Sequence, residues 1–161
     1  MNVLAWLAEG TWPAVVDAAA PFDKVTFLHV TDPGPAGSAH GAFAGLLGRG
    51  TRHPDPGAAI ESAQTAAESR LLTAAASRRG RSAPNITRRG RLEREVVSAC
   101  QTFDLLIVAR DGDLHRVGPR SLAPPTRFVV DHAPCSVLLI WPAAPTETEP
   151  PPPPPSDTLA R

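Results

Sequence analysis

The apolar residues of this chain are grouped in two ways. Runs at 3–8, 25–30, 105–108 and 137–141 are nearly unbroken sequences of branched or aromatic apolar side chains. A strand with one wet face alternates apolar and polar positions, whereas a strand covered on both faces does not, so these runs predict buried strands of a parallel sheet. PNITRRG, at 84–90, predicts a fifth, more polar strand suited to a sheet edge. Between the runs the spacing becomes helical. Ile60, Ala63, Ala67, Leu71 and Ala74 recur at intervals of three and four, predicting one long amphipathic helix ended by Gly80. Leu92, Val96 and Cys100 mark a second helix, and Phe128, Val129 and His132 a third. Thr11 as N-cap, with Pro13 in the first turn, starts a short helix in TWPAVVDAAA. Strands separated by helices imply right-handed crossovers, hence an α/β fold with helices on both faces of the sheet.

Two segments depart from that alternation. Residues 31–56 are punctuated by glycine and proline around a short apolar stretch, a long excursion between strand and helix. From Pro142 the chain is proline-rich, with six consecutive prolines at 150–155, and is expected to be an extended, disordered spacer. The 161 residues therefore divide into one domain at 1–141 and a tail at 142–161.

Composition acts mainly by exclusion. Sixteen basic and 16 acidic residues give zero formal charge, so no global attraction to nucleic acid or an anionic membrane is expected. Seven arginines at 78, 79, 81, 88, 89, 91 and 94 form a local cluster. Without aromatic residues for base stacking, and with Glu93 and Glu95 interleaved, the cluster reads as a solvated face, binding of RNA or of an acidic partner being the alternative. The single lysine, Lys24, stands at a strand start, a poor position for a nucleophile or a phosphate ligand. No apolar run is long enough for a membrane span and no basic-flanked leader is present, so a cytoplasmic protein is expected. Cys100 and Cys135, far apart and without a CxxC, are expected to remain thiols and fill the core. His29, His40, His53, His115 and His132 show no helical pairing with another ligand, so no metal site is expected; His40 is assigned a packing role, a lid being the alternative. Ser121, His115 and Asp111 or Asp113 supply the residue types of a hydrolase triad without a nucleophile elbow, and no catalytic residue is assigned.

Four segments carry a family resemblance: FLHVTDP at 27–33, RRGRLEREVVSAC at 88–100, DLLIVARDG at 104–112 and FVVDHAPCSVLLI at 128–140. Over 1–141 the chain resembles the universal stress proteins. The resemblance implies an open five-stranded parallel sheet of order 3-2-1-4-5, dimerisation through the fifth strand and, in one branch, ATP binding. In such a sheet the order reverses beside strand 1, which opens a crevice between the carboxyl ends of strands 1 and 4. The run at 137–141 is apolar on both faces yet lies at an edge, and a homodimer is the simplest cover.

The ATP-binding branch carries a glycine, two spacers, a glycine, nine spacers, then glycine with serine or threonine. Here the first glycine is Ala109, the second is kept as Gly112, and the final pair falls on Ala123 and Pro124 after one inserted residue. Pro124 and Pro125 delete two backbone donors at the start of a helix, where an anion would be bound. Glu9, Gly10 and Thr11 lie over the Asp-Gly-Ser of the family's first strand, and Arg110, Arg116, Arg120 and Ser121 supply side-chain donors in place of backbone ones. Together with Ala109, Gly112 and Ala123 these form the candidate remodelled nucleotide or anion crevice. The expected function is a stress-response protein that binds a protein partner or small anion without turnover and without conventional ATP binding. The alternatives are an adenine-nucleotide switch or slow ATPase on the remodelled loop, and a scaffold docking through the arginine segment and proline tail.

Overall fold

Continuous apolar strands need cover on both faces, and the computed structural model, which describes residues 1–34, 38, 56–111 and 122–142, supplies it. The strands are β1 Val3–Trp6, β2 Val25–Thr31, β3 Asn85–Arg89, β4 Leu105–Ala109 and β5 Ser136–Ile140. The helices are α1 Trp12–Ala18, α2 Pro56–Arg79, α3 Leu92–Ala99 and α4 Pro124–His132, with a 3-10 turn at Cys100–Thr102 after α3. All strand pairs are parallel, in the order β3-β2-β1-β4-β5. The excursion at 39–55 with His40 and His53, the loop at 112–121 with His115, and the tail from 143 lie outside the described residues.

Successive residues of a strand point to opposite faces, and β1 shows what that does to an all-apolar run. Val3, Ala5 and Leu7 join Val15, Val16, Phe27 and Leu71 in the core beneath α1 and α2. Leu4 and Trp6 join Leu28, Val96, Leu106 and Val129 beneath α3 and α4. Phe27, Leu4, Leu28, Leu106 and Ile107 are fully buried, each contributing roughly 1.5–3 kcal/mol by removal from water. β3 alternates between exposed and half-buried residues, as a polar edge strand should.

Three expectations need revision. α2 ends where the sequence places it, since Gly80 takes φ +66° and its N–H reaches the Ala76 carbonyl at 3.2 Å. Its apolar stripe, however, is used mainly in the second half: Leu71 and Ala75 are buried, Ile60, Ala67 and Ala74 are half-buried, and Ala63 is exposed. Thr11 occupies the N-cap position of α1 but does not cap it, because its hydroxyl is turned to the Ala8 carbonyl at 3.4 Å. The arginine cluster is largely committed to the chain's own acceptors. Arg78 grips Asp17 in a bidentate pair, both bonds at 2.6 Å. Arg79 donates to the carbonyls of Ala19 and Phe22 at 3.1 and 2.8 Å, and Arg81 to Ala20, Phe22 and Asp23 at 2.8, 3.2 and 3.2 Å. Arg88 pairs with Glu95 and Arg91 with Glu93. Among the described residues no helix is long and apolar enough to cross a membrane.

Candidate functional site

β2 lies on one side of β1 and β4 on the other, so the chain leaves the centre of the sheet in opposite directions. The carboxyl ends of these strands therefore part around a cleft, the position where open α/β sheets take ligands. The cleft has a volume of about 360 Å³. β1 contributes Trp6 and, just beyond it, Leu7, Ala8 and Glu9; β2 contributes His29, Val30 and Thr31, followed by Asp32. Gln64 and Ala67 of α2, Leu92 of α3, Asp111 after β4 and Pro125 of α4 complete the lining. The walls are mostly apolar with a few polar groups, the usual make-up of a small-molecule site.

Backbone carbonyls left over at the strand ends hold the polar groups in place. His29 Nδ1–H donates to the Leu7 carbonyl at 3.2 Å, which makes Nε2 of the neutral ring an acceptor. The Thr31 hydroxyl donates to Glu68 at 3.2 Å, and the Gln64 amide to the Asp32 carbonyl at 3.2 Å, tying β2's end to α2. The Asp32 carboxylate accepts the Gly34 N–H at 2.8 Å. Gly10, at φ +80°, makes the tight turn that brings Glu9 to the rim, a backbone conformation that a side-chain-bearing residue resists.

The start of α4 is arranged differently from a phosphate cradle. Its N-cap is Ala123, which has no side-chain acceptor, and Pro124 and Pro125 follow with no N–H. The carboxylate of Asp111 reaches across from the end of β4 and takes the available donors. It accepts the Ala123 N–H at 3.2 Å and the hydroxyl of the fully buried Thr126 at 2.6 Å. Arg127 N–H is spent on the Ala123 carbonyl at 3.0 Å, leaving the Thr126 amide as the turn's remaining N–H. An internal carboxylate thus sits where a helix N-terminus would otherwise receive an external anion.

The ten residues singled out in the sequence are dispersed. Glu9 lines the cleft, while Gly10 lines a shallower groove between α1 and α2. Thr11 opens α1, Ala109 is buried at the end of β4, and Ala123 is part of the Asp111 cap. Arg110 is only 6% exposed and is not among the cleft-lining residues. Its N–H bonds the Ile140 carbonyl at 2.8 Å and its guanidinium lies 5.2 Å from the centre of the Trp141 ring, over β5. Gly112, Arg116, Arg120 and Ser121 lie outside the described residues. Sequence reasoning did not single out His29, Thr31, Asp32, Gln64 or Asp111 as site residues. The cap-less Ala-Pro-Pro start signalled that a substitute cap was needed, but Asp111 lies 12 positions before Ala123, so the sequence did not show which group supplies it.

The Universal stress protein family profile matches residues 2–140, which is nearly all of the described chain. The chain belongs to the universal stress protein family. Solved members and neighbours share its fold at low identity. The hypothetical protein MJ0577 superposes with a TM-score of 0.64 at 14% identity, over 89% of this chain and 97% of that one. The universal stress protein UspA from Lactobacillus plantarum gives 0.56 at 20% identity, over 87% and 97%. A universal stress protein solved in complex with cAMP gives 0.52 at 18% identity, over 88% and 96%. Among curated proteins none matches the chain significantly. Within the universal stress fold, then, this chain keeps the cleft at the switch point and fills the start of α4 from within.

Proposed function

We propose that this universal stress protein is a stress-response protein that works by association rather than turnover, and that its cleft does not seat the phosphates of ATP on α4. The observation that supports this reading is the Asp111 carboxylate bonded to Ala123 N–H and Thr126 Oγ1. A phosphate placed about 4 Å from that carboxylate meets a repulsion of roughly 4 kcal/mol at the effective dielectric of a protein surface. The one amide left in the turn returns only about 1.5–3 kcal/mol. The described wall adds Glu9 and Asp32 to Asp111 and holds no lysine or arginine among the described residues. A protein partner, or a small ligand without a phosphate chain, fits this wall better than an external anion does.

Association begins with a second copy of the chain. β5 pairs only with β4 among the described residues, and it presents Leu138 at 37% exposure and Trp141 beyond it at 59%. An apolar edge of that kind is stable in water when covered, and two copies of β5 related by a two-fold axis cover each other. Leu138→Arg is expected to convert dimer to monomer in sedimentation equilibrium; a monomeric parent protein ends this part of the reading.

A second reading is favoured by the cleft itself. Its apolar walls, the His29 acceptor and the Gln64 amide suit a flat base of nucleoside size, and a fold neighbour was solved with cAMP. Thermal unfolding separates the two. ATP with magnesium at millimolar concentration is expected to leave the midpoint unchanged. A rise on the order of 5–10 °C, the response to a ligand at about a hundred times its dissociation constant, overturns the reading. A rise with adenosine or cAMP but not ATP selects the second reading, in which α4 stays closed while the cleft is filled.

A further inference from the structure

The sequence places 34 residues between Cys100 and Cys135 and nothing in it joins them; the fold does. Cys100 opens the 3-10 turn after α3, and Cys135 immediately precedes β5. Both stand at the amino ends of neighbouring strands, because the turn leads into β4 and β4 pairs with β5. The backbone clasps the two segments together. Phe103 N–H bonds the Cys100 carbonyl at 3.0 Å, and Ser136 N–H bonds the Asp104 carbonyl at 3.2 Å. The Cys100 side chain is fully buried in the core beneath α3 and α4, and Cys135, only half-buried, packs against that same cluster. Both side chains thus meet in one apolar cluster, with the Cys135 thiol beside that of Cys100.

The geometry points to Cys100 and Cys135 as a dithiol that a hydroperoxide converts to an intramolecular disulfide. The order of events follows from access. An oxidant reaches half-buried Cys135 and not Cys100. Burial above all, reinforced by the neighbouring Cys135 thiol, pushes the Cys100 thiol up to about 12, so Cys100 is not the first nucleophile. Cys135 sulfur attacks the peroxide, an S–O bond forms as the O–O bond breaks, and the alcohol leaves with the proton Cys135 gave up. The Cys100 sulfur then attacks the Cys135 sulfur, the S–S bond forms as S–O breaks, and the departing oxygen takes the Cys100 proton as water. Two thiols and one hydroperoxide thus give one disulfide, one alcohol and one water, a two-electron change with no other reactant.

The bond closes a loop that contains β4 and α4 and fastens the start of β5 to the end of α3. It does not depend on any ligand in the cleft, which lies at the other end of the strands.

The test treats the reduced full-length protein with a small excess of hydrogen peroxide. The expected product is a chain with no covalent link to another, lighter by two hydrogens, with no titratable thiol after denaturation and a Cys100–Cys135 peptide in a non-reducing digest. Its unfolding midpoint is expected to rise on the order of 5–10 °C and to return on reduction with a dithiol. Cys100→Ser is expected to stop at the sulfenic acid of Cys135, trapped by a dimedone-type reagent, while Cys135→Ser is expected to be inert. Retention of both thiols, a sulfinic acid on Cys135 of the parent protein, or only intermolecular disulfides would each overturn the proposal.

Discussion

The two ends of the sheet handle charge in opposite ways. At the amino ends of β2 and β3 three arginines at and just after the end of α2 grip the end of α1 and the α1–β2 connection, four of their bonds going to Asp17, Asp23 and the Ala20 carbonyl and the other three to the carbonyls of Ala19 and Phe22. At the carboxyl ends of β1, β2 and β4 three carboxylates, Glu9, Asp32 and Asp111, line an open cleft. One end spends its cations on backbone carbonyls and two carboxylates, which makes a structural clamp. The other gathers anions around a cavity, which makes a surface with chemical selectivity. The lesson is that a charge run in sequence and a charge cluster in space are different objects. The arginines adjacent in sequence are largely consumed, and the carboxylates that converge come from three distant parts of the chain.

The clamp is where the largest effect of substitution is expected. Arg79 is half-buried and its two bonds reach different carbonyls of one loop, while its Nε is buried without a partner. Burial, and after it the neighbouring Arg81 guanidinium, pulls its pKa below the usual arginine value, so the site already strains to hold a cation. Removing the guanidinium leaves the Ala19 and Phe22 carbonyls short of a donor. Arg79→Ala is expected to cost about 2–3 kcal/mol in urea unfolding, and Arg79→Lys about half of that, because an ammonium lacks the planar fork. Equal costs for Lys and Ala would mean that packing of the stem matters more than the bonds.

Opposite the clamp, Asp111 offers a sharper contrast because its removal should weaken the fold and open the site together. Asp111→Ala takes the acceptor from Ala123 N–H and from the buried Thr126 hydroxyl, with an expected loss of about 1–2 kcal/mol. The same variant is expected to gain stabilisation from added sulfate or phosphate relative to the parent protein, since the start of α4 is then vacant. An identical anion response in both proteins would show that the carboxylate does not compete with anions. Thr126→Val removes the hydroxyl alone and is expected to cost about 1 kcal/mol. Combined with Asp111→Ala it should cost less than the sum, and strict additivity would uncouple the two groups.

That asymmetry also explains what was legible beforehand. The strands, the order of the sheet and the helices were readable because each depends on local periodicity or on a resemblance carried by contiguous segments such as DLLIVARDG. The Pro124-Pro125 pair was readable as lost donors, since proline's missing N–H is a property of the residue alone. What took the donors' place was not, because Asp111 bonds a residue 15 positions away and the distance across that loop is set by tertiary structure. Cys100 and Cys135 were read as separate filler for the same reason, and the arginines simply as a solvated face because the acceptors of Arg78, Arg79 and Arg81, at residues 17–23, lie some 60 positions away in the chain. Arg110 carries charge toward the β5 side, where Trp141 receives it, and nothing in the order of residues indicated which way it would turn.

The smallest expected effect lies in the exposed part of the clamp and concerns pH. Asp17 is in the last turn of α1, where the negative end of the helix dipole disfavours a carboxylate, and Arg78 compensates from the last turn of α2. The bidentate hydrogen bond from Arg78 holds the Asp17 carboxyl below its ordinary value of 3.8, against a smaller opposing effect of burial. A carboxyl whose folded value is depressed binds its proton more readily in the unfolded chain, so the pair's contribution is present above 3.8 and disappears as the pH falls through the folded value. The two side chains are 45% and 56% exposed, so solvent and salt screen most of the attraction. Asp17→Asn is therefore expected to lower the unfolding midpoint slightly at neutral pH and low salt. The gap from the parent protein should close both below 3.8 and in molar salt. A gap that survives acid would mean that Asp17 acts through its shape, and the Arg78 grip would then be a consequence of how α1 and α2 pack and not a cause of it.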